Sequence, residues 1–323
     1  MLTRSFKAGP SHHSLEVSCR QSRRARSQSC FASADIVVED RRHVTADGQG
    51  LELLLARQNE DSGNPPILFI HGSYHGAWCW REKFLPYFAS KGYNSYALSL
   101  RGQGRSDIVV DQLVAGTLDT HAQDIADLVA MFPRPPVVIA HSFGGLILQK
   151  YLLGVHNSRG VELPPLAGAA FLSSVPPSGN KNLVWRFLRK DLLLSLRVTY
   201  GFIAKTFTKD ANACRELFFS RDLPETDLLR YQNELSKCSP VRLMDLQDVN
   251  KQVPLSKPEG ELPPIFVLGG KNDVVVDEEA IQETAKQFAV DPIIVDDVAH
   301  DCMLDTRWEE VARRLENWLQ NIP

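Results

Sequence analysis

The sequence lacks the features that would place it in several large classes. No apolar run reaches the ~18 residues that a bilayer-crossing helix needs; the nearest approach, Asp191-Leu-Leu-Leu-Ser-Leu-Arg197, is closed by charges at both ends. Six cysteines are present, at positions 19, 30, 79, 214, 238 and 302, but no C-x-x-C pair and no zinc-ligand spacing occurs. That excludes a zinc-finger site and a dithiol redox motif, and the cysteines read as reduced thiols of a non-secreted protein. No internal repeat is visible, so solenoids and propellers are set aside. Acid is scarce at the start: residues 1–34 hold six basic groups and only Glu16 against them. This Arg- and Ser-rich, acid-poor stretch has no apolar core of secretory length, and it reads as an organellar transit peptide, plastid before mitochondrial. Without it, 30 basic groups face 38 acidic ones, net −8. That excess of acid argues against nucleic-acid binding.

What is present is alternation. Ile67-Leu-Phe-Ile70, Tyr93 to Leu100, Val137 to Ala140, Ala167 to Ser174, Pro264 to Gly270 and Pro292-Ile-Ile-Val295 read as strands. Between them Arg81–Lys91, Leu118–Phe132, Asp277–Phe288 and Thr306–Leu319 carry apolar residues at helical spacing. Two further runs, Ile36–Val38 and Leu51–Ala56, suit an antiparallel edge hairpin. Strands that are apolar throughout are covered on both faces, so the pattern predicts an α/β fold: a mostly parallel sheet with helices on both sides. The core is expected over 35–177 and 263–323. Residues 178–262 read as a helical cap without a strand, with helices at 182–196, 202–207, 211–219, 225–237 and 241–249.

The chain is organised around Val137-Val-Ile-Ala-His-Ser142-Phe-Gly-Gly145. A β-branched run stops at a serine, and an apolar helix follows a pair of glycines. The form is that of a nucleophile elbow, G-x-S-x-G, with Ala140 in place of the first glycine. A serine hydroxyl needs a base, and the base an orienting acid. In this motif the chain order is Ser, acid, His. Asp273 follows the strand at Pro264 and His300 follows the last strand, so Ser142, Asp273 and His300 are the expected triad. Asp277 and Asp296 are the alternative acids. The oxyanion donors are expected to be the backbone amides of Phe143, directly after the nucleophile, and Ser73, in the loop after Ile70. His71, His75, His121 and His141 read as structural. Neither a metal nor an organic cofactor is called for.

These residues resemble the α/β-hydrolase superfamily over about positions 36–321. Phe69-Ile-His-Gly-Ser-Tyr-His-Gly-Ala-Trp-Cys-Trp80 is similar to the oxyanion loop of plant methylesterases and hydroxynitrile lyases. Leu100-Arg-Gly-Gln-Gly-Arg-Ser-Asp107 is closer to the wider esterase, lysophospholipase and monoacylglycerol-lipase group. Epoxide hydrolases and haloalkane dehalogenases of this fold carry an Asp nucleophile where Ser142 stands. The lyases carry a threonine where this chain has Gly72, and a lysine where Asp301 follows His300. The resemblance therefore implies a serine hydrolase of carboxylic esters. Plastid members that remove the phytyl chain of chlorophyll pigments make a lipophilic acyl or prenyl ester the implied substrate. A non-hydrolytic ligand receptor and an acyltransferase are the alternatives. The cap is rich in Leu and Phe with Arg186, Arg189, Lys190 and Arg197 interleaved, which suits an apolar pocket roof and a peripheral membrane contact.

Overall fold

A computed structural model describes residues 36–58, 63–154, 163–190 and 192–322. The expected transit peptide, 1–34, lies outside them. Ten strands are described: β1 (Val38–Val44), β2 (Gly50–Ala56), β3 (Ile67–Ile70), β4 (Ser95–Leu98), β5 (Val114–Gly116), β6 (Val137–His141), β7 (Gly168–Leu172), β8 (Arg242–Met244), β9 (Ile265–Gly270) and β10 (Ile293–Val295). Eight form one sheet in the order β1-β2-β4-β3-β6-β7-β9-β10. From β4 to β10 every neighbour is parallel, while β2 pairs antiparallel with both β1 and β4.

Alternate side chains of the central strands feed two separate apolar layers, as the period-two geometry of a strand requires. Phe69, Ile139 and Leu172 face α1 (Trp78–Arg81), α2 (Phe84–Ser90) and the terminal helix over Trp308–Leu319, meeting Trp80, Phe84, Phe88 and Leu315. Ile70, Val138 and Phe171 face the other side, meeting Ile125 of α3 (Leu118–Val129), Leu146 of α4 (Phe143–Leu152) and Ile281 of the helix over Glu278–Gln287. The residues are buried on both faces, which is why these strands read as unbroken apolar runs.

The edge differs in length from expectation. β1 runs through Glu39-Asp-Arg-Arg-His43, and the hairpin pairs Val38 with Ala56 and Val44 with Gly50. A charged, half-solvated strand is how a sheet edge resists pairing with other chains, and no apolar run marks it. The helix expected over 81–91 is two short ones, α1 and α2, separated at Glu82 and Lys83.

The insertion carries the main correction. It folds as α5 (Asn180–Lys190), α6 (Leu192–Ile203), a 3₁₀ turn at Thr206–Thr208, α7 (Ala211–Phe218), α8 (Glu225–Ser236), β8, and α9 (Leu246–Gln252), before α10 (Glu278–Gln287) and α11 (Trp308–Leu319) complete the core. It therefore does hold a strand. β8 pairs parallel with β5, Val114 opposite Arg242 and Gly116 opposite Met244. The expected helix at 241–249 begins only at Leu246, where the Asp245 side chain accepts from Gln247 N–H and caps it. Among the described residues no helix is long and apolar enough to cross a membrane.

Candidate active site

Ser142 sits between β6 and α4 with φ 55° and ψ −124°. Few residues other than glycine adopt that backbone, and holding a serine there costs about 1–3 kcal/mol. The turn is so tight that only hydrogens fit beside it. A Cβ on Gly144 would lie 2.5 Å from the His71 carbonyl oxygen, and one on Gly145 would lie 2.1 Å from Ser174 Oγ.

The loops after three strands then converge. His300 Nε2 lies 3.1 Å from Ser142 Oγ, and His300 Nδ1 lies 2.8 Å from Asp273 Oδ2. Asp273 is itself fixed, its Oδ1 accepting from the Val275 and Val276 amides at 2.7 and 2.8 Å. Burial alone would push the His300 imidazole down. The Asp273 carboxylate, by its charge and its hydrogen bond, and Asp301 behind it outweigh that and hold it above its ordinary value. The alternative acids are engaged elsewhere: Asp277 caps α10 and accepts from Arg186 Nε and Nη2, while Asp296 is exposed beside Lys271.

Ser73 and Phe143 line the same cavity as Ser142 and His300. Phe143 opens α4, where backbone N–H groups have no intrahelical partner. The Ser73 amide is aimed by His71. That ring accepts the Leu100 N–H on Nε2 (3.0 Å), so its proton is on Nδ1 and is donated to Gly72 O at 2.7 Å. In a trans peptide the C=O and N–H point opposite ways, so clamping the Gly72 carbonyl turns the Ser73 N–H away from His71. Burial keeps His71 neutral by pushing it down to about 3.

Gly72 itself abuts the nucleophile, because a Cβ there would lie 2.6 Å from Ser142 Cβ and 3.1 Å from its Oγ. Gly72→Ala must displace one of them. We expect kcat for an ester to fall about 100-fold, the usual effect of ångström misplacement, with the melting temperature lowered only by the strain of overpacking. An unchanged kcat would show that the contact does not position Ser142.

Two further groups back the site. His75 donates from Nδ1 to Ser73 O at 2.8 Å, and its Nε2 faces Asp301 Oδ2 at 2.9 Å. Both ring nitrogens are thus engaged, and the Asp301 contact is fully buried. Burial would raise the Asp301 carboxyl, but the charge and hydrogen bond of His75 pull it below its usual range. On the other side His141 Nε2 donates to His300 O at 2.9 Å, and burial pushes His141 down to about 3. The pair ties the loop bearing His300 to the loop bearing Ser73. In the sequence Asp301 stands out only as a departure from the lyases, because its partner lies 226 positions away and leaves no local sign.

Cutting one member of a fully buried pair strands the other. Asp301→Ala is expected to lower unfolding stability by about 3–5 kcal/mol. Asp301→Asn restores most of it, since an amide N–H can still reach His75 Nε2. Denaturant midpoints check this, and equal losses in both variants would refute the pairing.

His141, His300 and Asp301 also present ligand atoms within 4.8 Å of one another. Both His300 nitrogens are already committed to Ser142 and Asp273, so the cluster does not fit a resident metal.

Above the triad lies a cavity of about 550 Å³. Its walls are mainly apolar: Leu183 and Phe187 of α5, Val198 and Phe202 of α6, Phe218 of α7, and Val241, Leu243 and Met244 around β8. Gln103, from the Arg101–Asp107 loop, reaches the wall and donates to Val241 O at 3.1 Å.

Residues 67–314 match the sequence model of the alpha/beta hydrolase family. The chain belongs to that family. Part of the chain is similar to norfluorocurarine synthase 1 of Strychnos nux-vomica, 30% identical over 133 residues, covering 39% of this chain and 46% of the relative. It is also similar to methylesterase 3 of Arabidopsis thaliana, 24% identical, covering 41% and 49%. The chain thus spans about half the length of the relatives it matches in sequence. The fold is shared more widely: an esterase from Exiguobacterium antarcticum superposes with a TM-score of 0.63 over 88% of this chain and all (100%) of the other, at 16% identity.

Proposed function

We propose that the protein is a serine esterase that hydrolyses carboxylic esters bearing a lipophilic acyl or prenyl group. Ser142 Oγ attacks the ester carbonyl while His300 Nε2 takes its proton. Asp273 holds the ring with its second proton on Nδ1 and offsets the charge of the imidazolium. The Ser73 and Phe143 amides donate to the oxyanion. Collapse of the tetrahedral intermediate expels the alcohol with the proton from His300 and leaves an acyl-Ser142. Water, deprotonated by His300, then repeats the sequence and releases the acid. The observation that carries this reading is the unbroken Ser142–His300–Asp273 hydrogen-bond chain opening into an apolar cavity. The esterases and methylesterases among the relatives support it. The walls support the lipophilic substrate, because most of their surface is apolar and offers an acyl chain burial.

The test is labelling with a fluorophosphonate, located by peptide mass, together with p-nitrophenyl esters of increasing chain length. Expected are one label on Ser142 and sustained turnover that improves with chain length until the cavity is filled. A folded protein that does not label refutes the mechanism. Labelling with a single slow turnover points to a receptor, and turnover that requires an added alcohol points to an acyltransferase.

A further inference from the structure

Helix α6 is apolar on its outer side as well as its inner one, where Val198 and Phe202 pack against the core. Its buried positions are Ser195 and Gly201, whereas Leu193, Tyr200 and Ile203 are 74%, 65% and 79% exposed. At about 100° per residue, Leu192, Leu193, Leu196, Tyr200 and Ile203 fall in one sector about 100° wide. They form a single stripe along the helix, facing away from the protein. Trp185 of α5, 61% exposed, adds an aromatic ring, with the Arg189 guanidinium stacked 5.5 Å from its centroid.

The stripe runs into the active-site cavity. Ile203 is both its last member and part of the cavity lining, and Val184 and Leu246, also exposed, line the cavity with it. An apolar track therefore leads from the outer face of the roof to the chamber above Ser142. An apolar track of this kind favours a ligand arriving from an apolar phase, since its acyl chain can pass from the outer face to the chamber along Ile203, Val184 and Leu246.

Charge supplies the occupant. Residues 180–205 contain six basic residues (Lys181, Arg186, Arg189, Lys190, Arg197 and Lys205) and one acid, Asp191, in a chain whose net charge is −3. Arg186 and Arg197 are engaged by Asp277 and Glu216, while Arg189 sits at the surface with its ring partner. A cationic segment with Leu, Trp and Tyr on its outer face has the composition of an interfacial helix lying on anionic lipid.

From this we infer that the α5–α6 roof docks on an anionic membrane surface and takes its ester from the lipid phase. This goes beyond the esterase reading, and the two are tested separately because docking is measured without turnover.

The experiment uses the full chain and sedimentation with vesicles of phosphatidylcholine, with and without phosphatidylglycerol. The variants are Leu193→Glu/Leu196→Glu and, for the aromatic anchor, Trp185→Ala. Both leave the catalytic residues and the cavity lining intact. Wild type is expected to bind the mixed vesicles, and less well the pure phosphatidylcholine. The double variant should bind about 100-fold more weakly while labelling normally with the fluorophosphonate. The basic segment at 1–34 is present in every sample, so the difference between variants reports the roof alone. Equal binding by wild type and double variant overturns the proposal, as does no binding by wild type. A wild-type dimer in solution that the double variant loses would assign the stripe to a second copy of the chain instead.

Discussion

Ser142→Ala and His300→Ala are each expected to lower kcat for an ester by about 10⁶-fold, and the double variant to be no worse than either. The reason is geometric. The hydroxyl and its base are one device joined at 3.1 Å, so removing either half removes the attack. Asp273→Asn is expected to cost less, about 10⁴-fold, because the base survives with its tautomer wrong. What remains in all four variants is catalysis by binding and by the Ser73 and Phe143 amides. Steady-state kinetics on one ester with wild type and the four variants checks the whole pattern. If the double variant falls by the product of the single losses, the residues do not act together and the triad is misassigned. The pH profile supplies a second reading. His300 works as a base only when neutral, and its environment holds it above the ordinary histidine value. Activity should therefore fall on the acid side from a pH somewhat above that of a free imidazole, and Asp301→Asn should move that limb downward.

The second large effect is acid unfolding. Burial pushes His71 and His141 down to about 3 and His121 to about 4. Each is neutral in the folded chain and takes up a proton on unfolding at the ordinary value of about 6.5. As pH falls below about 6.5 the unfolded chain binds protons that the native one refuses. Each ring then removes about 1.4 kcal/mol of stability per pH unit, and the three together about 4. His300 acts in the opposite sense. Its raised value adds stability as pH falls to the ordinary range and contributes no further change below it. A domain stable by about 10 kcal/mol would therefore unfold near pH 4. Circular dichroism and tryptophan fluorescence across an acid titration check this. His121→Gln, whose amide can still reach the Leu243 carbonyl that His121 Nε2 meets at 2.7 Å, should move the midpoint down. Native spectra retained at pH 3 would refute the account.

Much of the core was legible because its causes are local. β3, β6 and β9 are apolar throughout since both faces are covered, and the residues expected to carry chemistry stand directly after them or after β10. Ser142, Asp273 and His300 meet as the motif order requires. Less legible were features whose causes are distant. β8 is three residues long and has no periodicity of its own. It exists because Val114–Gly116 lies alongside, so Val241 to Val249 reads as a helix in isolation. β1 was misread in length because its charged residues answer to the sheet edge. The four histidines read as structural do hold loops, but only the structure shows that His71 aims a peptide and that His75 completes a buried pair with Asp301.

The small β5–β8 sheet also divides the insertion into unequal parts. With His121 on the Leu243 carbonyl and the Leu118 amide on Asp248, it stitches the rear wall of the chamber to α3 of the core. The stretch from Gly179 to Ser239 hangs between that seam and β7, and it supplies most of the roof. Anyone wishing to retune chain-length preference should graft or randomise this cassette as a unit and leave the seam alone. The seam sets where the chamber ends, and the cassette sets what is allowed inside.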